Sequence, residues 1–275
     1  MMRETRDMSA VAPDPVLYSQ HGGVVTLTLN RPQQMNALSR SLARRLRECV
    51  ERAVSASDAR VIVIRGAGAN FMAGGDLREF QALLQLATED GKAAFSDLID
   101  DAHHAILLLQ QTGKPVVACV HGAVAGFGVG LMAACDLAIC ADDTFLKLAY
   151  SLIGASPDGG ATYALPRAMG HKRAMELTLL SDRVDAHTAM RLGLANWVVP
   201  ADKLDDELNA LVERLARGST GAMAKTKALV HQGAVNTLAQ QLSAEQDMFV
   251  RGVEAPDFAE GVNAFLARRA PIYRS

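Results

Sequence analysis

Two glycine-rich segments of this chain have the composition of a site for a negatively charged oxygen. Residues 73–75 read Ala-Gly-Gly and residues 126–128 read Gly-Phe-Gly. Loops that lead into helices expose backbone N–H groups, and such groups attract anions. If each segment gives one N–H to the same oxygen, the pair can stabilise an enolate or a tetrahedral oxyanion. Either segment taken alone is more simply explained as a tight turn.

The elements that position these segments alternate between strands and helices up to residue 200. Residues 61–64 and 116–120 are apolar runs typical of buried strands, and each run precedes one glycine segment. Apolar residues at helical spacing occupy 38–54, and Asp76 is suited to cap the helix after the first segment. This alternation predicts an α/β architecture.

The last part of the chain shows no strand pattern and predicts helices. Apolar residues recur at helical spacing over 204–215, Thr237 and Gln240 form a capping-box pattern, and Pro256 suits the first turn of a last helix. We therefore divide the chain into a flexible N-terminal segment (1–15), an α/β core (16–200) and a helical region for oligomerisation (201–275).

The composition excludes several classes of protein. The 275 residues contain 28 Lys+Arg and 30 Asp+Glu, a formal net charge of −2, which gives no electrostatic reason to expect nucleic acid or an anionic membrane as a partner. The four cysteines are too sparse for a disulfide scaffold, no metal site is expected, and charged residues near the N-terminus argue against a secretory signal. We expect a cytoplasmic protein.

One uncharged stretch, residues 115–135, raises the question of a membrane helix. Gly122, Gly126 and Gly130 fall there at the spacing used by packed membrane helices. The strand-like start of the stretch and its many glycines instead favour a strand, a loop and a short helix in a protein without a membrane span.

Several motifs, in order along nearly the whole chain, resemble the crotonase, or enoyl-CoA hydratase/isomerase, superfamily. The resemblance implies a spiral of ββα turns with a helical C-terminal trimerisation region. It also implies an acyl-CoA thioester as ligand, homotrimers or dimers of trimers, and no cofactor apart from the coenzyme A of the substrate. The matching segments are Leu29-Asn30-Arg31-Pro32, Asn36-Ala37-Leu38, Phe71 to Leu77, Lys114 to Val116, His121 to Gly128, Cys135 to Ala138 and Gly154 to Gly160.

The same resemblance implies which residues hold the substrate. It places the thioester carbonyl between the N–H groups of Ala73 and Phe127, as the oxyanion hole. Phe127 differs from the glycine of many relatives, so its ring must be accommodated. Arg269 is a candidate for the CoA phosphates. The remaining substrate-binding candidates are Ala37, Gly74, Asp76, Leu77, His103, Gly126, Gly128, Gly130 and Tyr150.

The acid and base residues set this chain apart from the hydratases of the superfamily. Their two glutamates correspond here to Gly130 and Tyr150, and a glycine cannot hold or deprotonate a water molecule. Residues 154–160 form a third special loop, which we call the third loop, and Asp158 is its carboxylate. Some isomerases of the superfamily, including those that act on phenylacetyl-CoA-derived rings, look similar there. One carboxylate suffices to shift a double bond, because it can act first as base and then as acid. The alternative for Pro157-Asp158-Gly159-Gly160 is ordinary turn chemistry.

We therefore expect an enoyl-CoA isomerase with Asp158 as the proton shuttle. An atypical hydratase and a catalytically silent CoA-ester-binding protein are the alternatives within the superfamily. Outside it, Gly126-x-Gly128-x-Gly130 after a strand weakly suggests a nicotinamide-dependent oxidoreductase.

Overall fold

The computed structural model describes residues 13–273. Nine strands lie in this part of the chain: β1 (Val16–His21), β2 (Val24–Leu29), β3 (Val61–Gly66), β4 (Val116–Val120), β5 (Ala123–Ala125), β6 (Leu137–Ala141), β7 (Phe145–Lys147), β8 (Val184–Asp185) and β9 (Trp197–Val199). The helices are α1 (Arg40–Ser55), α2 (Leu77–Leu83), α3 (Thr88–Gln111), α4 (Phe127–Ala134), α5 (Ala161–Met169), α6 (His171–Leu180), α7 (Ala186–Arg191), α8 (Leu204–Ala216), α9 (Thr220–Gly233), α10 (Leu238–Val253) and α11 (Pro256–Leu266).

The strands form two sheets, and from β4 to β7 successive strands alternate between them. The larger sheet has the order β1-β2-β3-β4-β6-β9, and the smaller sheet has the order β5-β7-β8. The strand β4 enters the large sheet, β5 enters the small sheet and α4 follows; β6, β7 and α5 repeat the pattern. The predicted α/β architecture of ββα turns is confirmed.

The pairing of the strands explains why distant loops meet. In the large sheet, β2, β3, β4, β6 and β9 run parallel, and β1 is antiparallel to β2. Because the carboxyl ends of neighbouring parallel strands lie at one edge of a sheet, the loops that follow β3 and β4 emerge side by side.

The centre of the large sheet is buried on both faces. Residues 61–64 of the central strand β3 are an unbroken apolar run and at most 1% exposed, as expected for a parallel strand covered by helices. The apolar face of α1, with Leu42, Leu46 and Val50, lies in the core on one side. On the other side, Leu204, Leu208 and Val212 of α8 pack against Val61, Val63 and Val117. The helical C-terminal region therefore begins with a helix that shares a core with the sheet.

The chain before β1 lies only partly within the described residues. Of the segment predicted to be flexible, residues 1–12 lie outside them. Asp14, by contrast, is held by two hydrogen bonds from the Arg45 side chain, of 2.8 and 2.9 Å, to its two carboxylate oxygens. These bonds are the main reason why the pKa of Asp14 lies below its usual value. Asp14 is therefore paired with Arg45 of α1.

The uncharged stretch at 115–135 consists of β4, β5 and α4, separated by turns. Across residues 13–273, we find no helix that is both long and apolar enough to cross a bilayer. The cytoplasmic location stays a prediction from the sequence.

Candidate active site

The two glycine segments touch each other at Gly74 and Gly126. A methyl group placed on Gly126 would lie 3.4 Å from the α-carbon of Gly74. Both residues have positive φ angles, +87° and +48°, which favour glycine. The segments after β3 and β5 thus converge, as the proposed anion site requires.

The hydrogen bonds of the two segments show which backbone amides are available. Phe127 is the first residue of α4, and its N–H has no acceptor among the described residues. The N–H of Ala73 instead donates to the carbonyl of Met35 at 3.0 Å. The expectation that Ala73 supplies the second donor is therefore corrected.

The amide that remains available in the first segment is that of Gly75. Its neighbours hold the loop, since the Gly74 carbonyl accepts from Leu38 at 2.7 Å and the Asp76 amide donates to Leu38 at 2.9 Å. The N–H of Gly75 and the carbonyl of Gly74 belong to the same trans peptide and point in opposite directions, so the N–H of Gly75 points away from Leu38. No acceptor for it lies within residues 13–273.

Asn36 ties the loop after β3 into place. Its side chain is 0% exposed, and its amide group donates to the carbonyls of residues 67, 70 and 71 at 2.8 to 3.2 Å. Its side-chain oxygen accepts from the Arg31 amide at 2.8 Å. The Asn-Ala-Leu motif therefore sets the shape of the first glycine segment.

Arg31 and Asp76 support the same loop from outside. The Arg31 guanidinium donates to the Ala37 carbonyl at 2.6 Å and to Asp76 at 2.8 Å. Asp76 also caps α2. Burial disfavours its charge, but the hydrogen bonds from Arg31 and from the first α2 amides outweigh burial and lower its pKa. Ala37 and Asp76 thus have a visible supporting role, whereas Leu77 is 54% exposed at the start of α2.

The third loop brings Asp158 to the second glycine segment. The Tyr150 hydroxyl donates to Asp158 Oδ1, and the Tyr150 ring lies 3.8 Å from a methyl group placed on Gly126. Burial, and next the negative charge of Asp158, raise the pKa of Tyr150 far above its usual value. Tyr150 therefore acts here as a hydrogen-bond donor and not as a base.

The third loop packs against Gly130 and Phe127 of α4. A methyl group on Gly130 would lie 2.4 Å from the Gly159 carbonyl oxygen, and one on Gly159 would lie 2.7 Å from the Phe127 ring. The Phe127 side chain is 2% exposed, so the ring is accommodated between α4 and Gly159. The backbone of Gly159 therefore occupies the space in which the side chain of the first hydratase glutamate would begin.

The glycines of the second segment serve close packing within the protein. A methyl group on Gly128 would lie 2.6 Å from the carbonyl oxygen of Met72, just as Gly130 abuts Gly159. Because Gly128 and Gly130 pack against protein backbone, they leave no space for the pyrophosphate of a dinucleotide. The Gly-x-Gly-x-Gly pattern therefore does not support an oxidoreductase.

His103 is close to the third loop, but Arg269 shows no link to it. His103 Nε2 accepts a hydrogen bond from the Gly159 amide at 3.2 Å. Arg269 is paired with both oxygens of Glu260, at 2.6 and 2.8 Å, and its contacts lie within the C-terminal segment. The structure therefore gives no support to the expected role of Arg269 at a CoA phosphate.

Two neighbours of the site were missed in the sequence. Gly75 was passed over in favour of Ala73, because residue type alone does not show that the Ala73 amide is engaged by the Met35 carbonyl. Phe80 was not singled out, yet its ring tip lies 2.5 Å from a methyl group placed on Gly75. Phe95 packs edge-on against Phe80, with ring centres 5.2 Å apart, so an aromatic pair borders the first glycine segment.

Together the three loops can stabilise a negative charge and transfer a proton. The amides of Gly75 and Phe127, which have no acceptor within residues 13–273, come from segments in contact, and one carboxylate with its tyrosine partner lies beside them. Such donors stabilise negative charge that develops on a carbonyl oxygen, and a carboxylate can accept and return a proton.

Comparisons with known proteins show the family of this chain. The enoyl-CoA hydratase/isomerase family model matches residues 19–275. The chain is 34% identical over 258 residues to a probable enoyl-CoA hydratase of Rhodobacter capsulatus, covering 94% of this chain and 97% of that protein. It is 34% identical over 253 residues to the 1,2-epoxyphenylacetyl-CoA isomerase of Escherichia coli K12, covering 91% and 95%. A crystal structure of an enoyl-CoA hydratase from Polaromonas superposes with a TM-score of 0.88, at 35% identity, over 94% of this chain and 99% of that one.

Proposed function

Because the chain belongs to the enoyl-CoA hydratase/isomerase family, we propose that it is an enoyl-CoA isomerase that moves a double bond through a thioester enolate. The observation that carries the proposal is the closed position at Gly130. The Gly159 carbonyl oxygen occupies the space in which a hydratase glutamate would begin. The site is left with one carboxylate, Asp158, which is enough for isomerisation.

In the proposed reaction, the thioester carbonyl oxygen accepts hydrogen bonds from the amides of Gly75 and Phe127. Asp158 removes a proton from the carbon next to the carbonyl, and the electron pair moves into the carbonyl, where the two amides stabilise the enolate oxygen. The same proton returns from Asp158 to the far end of the conjugated system, so the double bond shifts and no atom is gained or lost. Removal of one such amide donor typically lowers kcat by about 100- to 1,000-fold.

The Tyr150 hydroxyl supports this role of Asp158. Because Oδ1 accepts from Tyr150, Oδ2 is the oxygen left to exchange the proton. Tyr150 occupies the second hydratase glutamate position. With its raised pKa it stays protonated, so it cannot replace a glutamate base. The reaction moves only a proton and needs no cofactor besides the coenzyme A carried by the substrate.

The acyl group is to be identified with a panel of CoA thioesters. The purified protein is incubated with linear and ring-containing unsaturated acyl-CoA esters, and the products are analysed by mass spectrometry and NMR. A product of unchanged mass with a moved double bond supports the isomerase. A product heavier by one water identifies a hydratase, and tight binding without turnover of any ester identifies a silent binding protein.

The role of Asp158 is tested with Asp158→Asn. We expect this variant to bind the ester with an unchanged Kd, measured by calorimetry, and to lose double-bond migration. Glu176→Gln, which removes an exposed carboxylate on α6, is the matched control and should keep full turnover. Unchanged turnover in Asp158→Asn would eliminate the assignment.

We also propose that the chain assembles as homotrimers, single or paired. The last two helices of the described residues expose many large apolar side chains that one chain leaves uncovered, and contiguous patches of this kind mark protein interfaces. These side chains include Leu238, Leu242, Phe249, Val250, Phe265 and Leu266. Native mass spectrometry should show three or six chains, and a stable monomer would contradict the proposal.

A further inference from the structure

His103 and Asp158 come from distant parts of the chain but meet at one peptide group. His103 lies on α3, and its Nε2 accepts the amide hydrogen of Gly159 at 3.2 Å. Gly159 follows Asp158 directly, so this amide belongs to the peptide that joins the two residues. The orientation of that peptide determines the direction in which the Asp158 side chain leaves the backbone.

The Asp158–Gly159 peptide is hydrogen-bonded at both of its polar groups. Its carbonyl, that of Asp158, accepts from the Ala161 amide at 3.2 Å at the start of α5, and its amide, that of Gly159, donates to His103. On the side of α4 the contacts of Gly159 are steric, because methyl groups placed on Gly130 and Gly159 would lie 2.4 Å from the Gly159 carbonyl oxygen and 2.7 Å from the Phe127 ring. The hydrogen bond to His103 is thus the one that holds this peptide from the side of α3.

The helix α3 is well suited to hold the loop. It faces the loop at two successive points, because Ile106, one turn after His103, lies 3.8 Å from a methyl group placed on Gly160. His104, the next residue, points elsewhere, with its Nε2 3.4 Å from Glu51 on α1. The two adjacent histidines therefore have different surroundings, and only His103 meets the third loop.

We propose that His103 is a positioning residue for Asp158. Its neutral imidazole, with the proton on Nδ1, accepts the Gly159 amide at Nε2 and fixes the peptide that aims the carboxylate at the substrate. This role differs from direct substrate binding, because His103 acts through Asp158. It rests on the proposed function, in which Asp158 carries the proton.

The experiment compares three substitutions of His103 that differ in whether, and at what distance from the α-carbon, the side chain offers a hydrogen-bond acceptor. A glutamine oxygen can reach the depth of Nε2, an asparagine oxygen only that of Nδ1, and leucine offers no acceptor. We expect His103→Leu and His103→Asn to lower kcat about tenfold, the effect of one ordinary hydrogen bond. His103→Gln should recover most of the rate, and KM should stay within about twofold of the wild-type value in all three.

His104→Leu is the matched control, since it removes the adjacent histidine, and it should leave kcat unchanged. Thermal unfolding of each variant checks that the fold is retained. Equal losses in Leu, Asn and Gln variants, a change confined to KM, or full activity in His103→Leu would each overturn the positioning role.

The two proposals can fail separately. If Asp158→Asn is inactive while His103→Leu is fully active, the positioning role is wrong and the isomerase proposal stands. If Asp158→Asn keeps its turnover, the isomerase proposal itself fails.

Discussion

The contact between Gly130 and Gly159 predicts that a single methyl group at position 130 will disable the enzyme. In Gly130→Ala, the new methyl carbon would lie 2.4 Å from the Gly159 carbonyl oxygen, whereas ordinary van der Waals contacts begin at 3.4 Å. The third loop must therefore retreat by about 1 Å, and a misplacement of about 1 Å in a catalytic group can lower the rate about 100-fold. The retreat also strains a packed region, which costs about 1–3 kcal/mol of folding free energy.

The assay is double-bond migration in the best ester from the substrate panel, followed by NMR, with thermal unfolding measured at equal protein concentration. We expect kcat to fall about 100-fold while KM changes little, because the displaced group is the proposed proton-transferring carboxylate. Gly221→Ala on α9 is the control, since no atom lies within 4 Å of its new methyl group. Wild-type kcat and stability in Gly130→Ala would refute the reasoning, because they would show that the carbonyl of Gly159 does not fill this position.

Three other perturbations follow from the contacts of the site. Tyr150→Phe should lower kcat about 10- to 100-fold with little change in KM, since a hydrogen bond to a charged group contributes about 1.5–3 kcal/mol; steady-state kinetics test this. Asn36→Ala should lower the free energy of unfolding by about 3 kcal/mol in urea titrations, because buried carbonyls lose their donor; an unchanged midpoint would contradict it. Because the folded pKa of Asp76 is lowered, its stabilisation is present above the unfolded value of about 4 and is lost as the pH falls through the folded value. The stability difference between the wild type and Asp76→Asn should therefore be full at pH 7 and shrink below about pH 4, and a difference that grows in acid would show that the sign is wrong.

The sequence by itself determined the elements and the kind of chemistry. The apolar run of β3, the spacing along α1 and the caps at Asp76 and Thr237 are local signals, and each predicted its element. The motifs predicted the family because they are strings of neighbouring residues. The absence of a hydratase glutamate at Gly130 was equally visible, since it depends only on residue type.

Only the tertiary structure decided which atoms are available. Ala73 and Gly75 lie two residues apart in one glycine-rich segment, and only the pairing with Met35 and Leu38 shows that the Ala73 amide is engaged and the Gly75 amide is not. The same holds for Arg269, whose charge is visible in the sequence but whose pairing with Glu260 is not.

The contacts around Asp158 show the physical reason. His103, Tyr150 and Gly130 come from three different elements, and their roles depend on hydrogen bonds and steric contacts with the Asp158–Gly159 peptide. Helix and strand periods report which side of an element is buried, but not which polar atom of a distant loop will meet it. That choice is made when α3, α4 and residues 150–160 pack together, and it turns a common turn sequence into a candidate catalytic loop.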